Sequence, residues 1–78
     1  MKSLERTRAV VSAVLRVPLD RVEPAAALGE ITALDSLSLA EVASALDDEF
    51  GVRLPSENLA ITLSVQELAE LVERAPRR

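Results

Sequence analysis

Residues 34–51 read LDSLSLAEVASALDDEFG, and the fold turns on how that stretch is read. At 100° per residue Leu39, Val42, Ala43, Leu46 and Phe50 share one face, which predicts an amphipathic helix with that face in a core. Asp35 is a good N-cap for a helix beginning at Ser36. Gly51 is the expected left-handed stop, with Pro55 shortly beyond. The outward strip holds Ser36, Leu37, Ala40, Glu41, Ser44, Asp47 and Asp48, acidic along most of its length with a leucine at the top. Asp47, Asp48 and Glu49 crowd the end where the helix dipole is negative, each at a cost of roughly 0.3–1 kcal/mol. No base three or four residues away within the helix offsets them. A helix that breaks a local rule three times running is serving something besides its own stability, and a basic partner surface is the expected reason.

The flanking segments predict two more main helices. Ser3 is a candidate N-cap for a helix from about Ser3 to Leu15, with Leu4, Thr7, Val11, Val14 and Leu15 on one stripe and Pro18 as its stop. The connection VPLDRVEPAAALGEI, residues 17–31, is long and punctuated by Pro24 and Gly29; Val17, Leu19, Val22 and Leu28 are expected to pin it to the core. A short third helical turn is expected around Glu57–Ala60. The last helix starts most clearly, because Ser64 and Glu67 form a capping box and Leu63 and Leu68 a hydrophobic staple. Val65, Leu68, Leu71 and Val72 face inward there, and the closing APRR is expected to fray. The expectation is therefore an all-α chain, residues 1–78 as one small domain: three main helices, one short one, and a long loop between the first two.

Composition excludes much. With no cysteine and no histidine, disulfides, thiolate chemistry and the usual zinc ligands are absent, and no metal site is expected. The apolar runs fall far short of a membrane span, and the charged N-terminus is unlike a secretory signal, so a soluble, cytoplasmic monomer is expected. The net charge of −4 conceals a segregation: from Val22 to Val52 there is no Lys or Arg, while Glu23, Glu30, Asp35, Glu41, Asp47, Asp48 and Glu49 all fall there. Phosphate backbones need the opposite sign, so nucleic acid is not an expected partner. Aligning Gly51 to the sixth position of a calcium loop puts Leu46 first and Phe50 fifth, where oxygen ligands are required, which removes that reading.

Ser36 has no imidazole to activate it and no glycines of a nucleophile elbow around it, so a catalytic role is not expected. A helix N-terminus does, however, stabilise a phosphate through free N–H groups and the dipole. LDSL at 34–37, the acidic helix ending DDEFGVRLP at 47–55 and ITLSVQELAELV at 61–72 together resemble an acyl carrier protein over nearly the whole chain.

The resemblance implies a four-helix bundle and a covalent 4′-phosphopantetheine arm on Ser36, flanked by Asp35 and Leu37. It implies docking through Leu37, Glu41, Asp47 and Asp48 onto basic surfaces: a phosphopantetheinyl transferase first, then a ketosynthase, acyltransferase or acyl ligase. The chain would be a carrier, not an enzyme, shuttling acyl thioesters; an aminoacyl carrier of peptide synthesis and an unmodified helical interaction domain are the alternatives. Ser38 and Leu39 stand where many fatty-acid carriers have a polar, often acidic pair. With the Arg-over-Lys, Ala-rich composition of a high-GC bacterium, that points to polyketide or other secondary-metabolite synthesis over general fatty-acid synthesis. Ala40, Ala43 and Ala69 are expected to leave room for an acyl chain between helices.

Overall fold

The apolar stripes meet in one core. The computed structural model describes residues 2–78, Lys2 by its backbone alone. In chain order the elements are α1 (Lys2–Leu15), a 3-10 turn (Leu19–Arg21), α2 (Leu28–Ile31), α3 (Ser36–Phe50), a second 3-10 turn (Ser56–Asn58) and α4 (Val65–Arg74). Among the described residues there is no β-strand, only isolated antiparallel bridges at Ala27–Ser64 and Val52–Arg77. No helix among them is long and apolar enough to cross a membrane. α1 packs against both α3 and α4, and Val11, Val42, Leu46, Val65 and Leu68 close the space between them completely. The all-α bundle expected from the sequence is the one observed, with its three main helices in the expected order.

Four local expectations are corrected. α1 begins at Lys2, so Ser3 lies inside the helix, and its hydroxyl donates across to the Glu73 carboxylate of α4 instead of capping. α1 ends at Leu15 as expected, but Arg16 and not Pro18 turns the chain: Arg16 takes a left-handed φ of 57°, and the Val17 N–H reaches back to the Ser12 carbonyl at 3.1 Å. The expected turn at 57–60 is a 3-10 turn at Ser56–Asn58, while an additional helical turn, α2, forms inside the long loop. Leu19 is 48% exposed and does not pin that loop; Val22 and Leu28, both fully buried, do.

Backbone and arginine hydrogen bonds finish the pinning. Leu28 N–H donates to the Leu63 carbonyl at 2.9 Å and Gly29 N–H to Ile61 at 2.9 Å, while Val65 N–H returns to Ala26 at 3.0 Å. A Cβ on Gly29 would stand 3.1 Å from the Ile61 Cβ, a tight contact that would push Ile61 back by a few tenths of an ångström. Arg8 Nε donates to the Val22 carbonyl at 2.7 Å and Arg21 Nη2 to Ile31 at 2.6 Å. The Val22 and Ile31 carbonyls are thereby satisfied, which ties the loop before α3 to the rest of the fold.

Candidate functional site

α3 has fifteen residues and so spans about 21 Å, which separates its two ends into different environments. At the start, Asp35 is extended (φ −116°, ψ −179°) and its Oδ1 accepts the Ser38 N–H at 2.8 Å. That backbone N–H, helped by the Ser38 hydroxyl, holds the Asp35 carboxyl below its ordinary pKa. With Ser38 N–H taken by the cap and Leu39 N–H by the Asp35 carbonyl at 3.1 Å, the N–H groups of Ser36 and Leu37 are the first-turn donors without a carbonyl partner in the helix. Ser36 is exposed beside them, and Leu37 next to it is 68% exposed, the most exposed large apolar side chain among the described residues. One turn further on, Glu41 and Ser44 are exposed and Ala40 is half-buried. Leu39 packs on the core, and Ser38 beside it is half-buried with its hydroxyl near Asp35.

The acidic end of α3 differs from the sequence expectation. Asp47 is half-buried, and its Oδ1 accepts the Leu54 N–H at 2.8 Å while its carbonyl takes Gly51 N–H at 2.9 Å and Val52 N–H at 3.2 Å. Gly51 supplies the left-handed turn with φ 64°. Asp48 pairs with Arg78 Nη2 at 3.0 Å, and Glu49 with Arg6 Nη2 at 3.0 Å. The Arg6 guanidinium also donates to the Glu49 carbonyl at 2.7 Å and lies 4.4 Å from the Phe50 ring centre. The three acids that no neighbouring base offsets along the chain are thus met by groups from elsewhere in it. Pairing by residues 30 and 43 positions away leaves no periodic trace in a sequence.

The expected fraying of 75–78 is also corrected. Arg53 N–H donates to the Pro76 carbonyl at 2.9 Å and Arg78 N–H to Gly51 at 3.1 Å, so the tail lies antiparallel on the segment after α3. Two open grooves lie at this far pole. One of about 340 Å³ is lined by Ser3, Arg6, Phe50 and Glu73 among others; one of about 330 Å³ is lined by Leu54, Leu71, Arg53 and Arg74 among others. Neither reaches Ala40, Ala43 or Ala69. Ala43 and Ala69 are buried in the closed core, so an acyl chain enters there only if helices move apart.

A family model described as the phosphopantetheine attachment site matches residues 5–72. The chain belongs to the acyl carrier protein family. It is similar to an acyl carrier protein of Thermosynechococcus vestitus, 35% identical over 69 residues that cover 88% of this chain and 85% of that one. An acyl carrier protein of Saccharopolyspora erythraea is 36% identical over 67 residues, covering 86% and 70%. One from Thermobifida fusca is 29% identical over 65 residues, covering 83% and 82%. The cofactor that goes with acyl carrier membership is a covalently attached 4′-phosphopantetheine. The start of α3 fits such a group: an exposed hydroxyl, free N–H groups and the positive end of a fifteen-residue dipole stand together.

Proposed function

We propose that Ser36 bears the 4′-phosphopantetheine arm and that the chain carries acyl groups between biosynthetic enzymes of polyketide, other secondary-metabolite or fatty-acid-type synthesis. The observation that supports this best is the exposed Ser36 hydroxyl on the first turn of α3, between the capping Asp35 and the protruding Leu37. The chain has no cysteine, so the thiol that holds an acyl thioester is supplied by the arm.

The protein's own residues do the rest. Asp35 locks the first turn through Ser38 N–H, which fixes the backbone position from which Ser36 projects. The Ser36 and Leu37 N–H groups and the dipole favour the phosphodiester, keeping the attachment point ordered while the arm moves. Leu37 offers an apolar contact and Glu41 a charge to a basic visitor, in turn a phosphopantetheinyl transferase and then a ketosynthase, acyltransferase or acyl ligase. Asp48 can join them when Arg78 releases it, and Asp47 can offer the oxygen that Leu54 N–H does not use. No residue here performs catalysis; the body is a cytoplasmic, monomeric handle. Exposed ion pairs are individually weak, so docking is brief and salt-sensitive, as shuttling requires. The relatives' printed names support acyl over aminoacyl cargo.

The test is transfer itself. The full chain is loaded, its arm is acylated, and delivery to a ketosynthase is timed. Glu41→Lys is expected to slow delivery at low salt without moving the unfolding midpoint. Delivery at an unaltered rate would remove Glu41 from the docking face.

A further inference from the structure

We infer that the Arg78 side chain, positioned by the backbone of Pro76–Arg78, is an internal occupant of Asp48 at the acidic end of α3, which an arginine of the docking enzyme must displace. This rests on the carrier reading above and concerns how its docking face is regulated.

Three observations carry it. The tail's backbone is held in register by Arg53 N–H to Pro76 O at 2.9 Å and Arg78 N–H to Gly51 O at 3.1 Å. Its side chains then do what a visiting basic segment would do: Arg78 Nη2 reaches Asp48 at 3.0 Å, and Arg77 Nη1 reaches the Phe50 carbonyl at 3.3 Å. Between the two kinds of contact the strengths differ. The Arg78 and Asp48 side chains are 48% and 78% exposed, so their pairing is weak and screened by salt. The bonds between backbone groups do not involve the Arg78 side chain, whose further contact, Nε to the Val52 carbonyl, is long at 3.3 Å and is given up when the side chain swings out. An incoming guanidinium can therefore take Asp48 while the tail stays in place and Arg78 swings out to solvent. On undocking Arg78 returns from a short tether, so its effective concentration at Asp48 is high. The exchange makes the acidic end selective: a partner gains Asp48 only by outcompeting an arginine already there.

The experiment uses the full chain, loaded from coenzyme A by a phosphopantetheinyl transferase, with kcat/KM measured for each variant. Arg78→Ala is expected to raise kcat/KM by up to about five-fold, the range of an exposed pair. Asp48→Asn alone is expected to lower it, and Arg78→Ala added to Asp48→Asn to change nothing further. Protection of the Arg53 amide from hydrogen exchange should persist in Arg78→Ala, since its acceptor is the Pro76 backbone. An unchanged or lower kcat/KM for Arg78→Ala overturns the inference. So does an equal rise in both backgrounds, which a general loss of positive charge would give. Glu41→Gln reports on the docking reading separately: if it lowers kcat/KM and the Asp48 variants do not, docking stands and the tail's role falls.

Discussion

Asp35 and Thr7 show how far a single residue can be read. Asp35 was legible as a cap because an acceptor at that position meets a helix N–H whatever surrounds it, and its Oδ1 does accept Ser38 N–H. The bond lowers the folded pKa, so the carboxylate's contribution is present above its ordinary value and is lost as pH falls through the folded one. The stability difference between the wild type and Asp35→Asn should be constant above about pH 4 and shrink below it. Denaturant melts at stepped pH check this; a difference that holds constant into acid would contradict it. Thr7 was placed correctly on the inward stripe and is fully buried, but nothing in the sequence shows that its Oγ1 finds no hydrogen-bond partner among the described residues. Removing an unsatisfied buried hydroxyl without changing shape relieves its desolvation, so Thr7→Val should stabilise the fold by about 1 kcal/mol in urea melts. Destabilisation would mean that the hydroxyl has a partner after all.

At the scale of the element, helix starts and stops were legible where local chemistry fixes them and obscure where the rest of the fold does. Ser64 and Glu67 bond reciprocally, Glu67 N–H to Ser64 Oγ at 3.0 Å and Ser64 N–H to Glu67 Oε1 at 2.9 Å, and Gly51 takes its left-handed turn. Arg16 gives no such sign, since an arginine at φ 57° is a conformation its residue type does not favour. Replacing it with glycine removes that strain, and Arg16→Gly should stabilise by about 0.5–1 kcal/mol after glycine's entropy is set against the relief. A lower melting temperature for the variant would show that Arg16 is held by contacts of its own. Asp47 is the converse case. It was read as a docking acid from its outward position, yet its carboxylate caps the buried Leu54 backbone. Asp47→Ala should destabilise by about 1–3 kcal/mol, and Asp47→Asn by less because an acceptor oxygen remains. Equal stability for all three proteins would return Asp47 to the docking face.

For the whole molecule, the stripes on α1, α3 and α4 sufficed to anticipate the helices and their common core, because burial period depends on sequence alone. The pairing of charges did not follow from sequence, since Arg6 and Arg78 meet Glu49 and Asp48 across the fold. The result divides α3 into an open end, Ser36 to Glu41, and an end already engaged, Asp47 to Glu49. That division accounts for the excess acid without assigning all of it to a partner. It also puts the exposed hydroxyl, the free N–H groups and the protruding leucine on the same pole, held by a loop whose carbonyls Arg8 and Arg21 satisfy. The attachment of the arm at that pole is the claim on which the rest depends. The most direct measurement is fragment mass spectrometry of the full chain after incubation with coenzyme A and a phosphopantetheinyl transferase. The expected result is one phosphopantetheine group on Ser36 and no mass gain in Ser36→Ala; an unmodified chain, or an arm on any other residue, would contradict it.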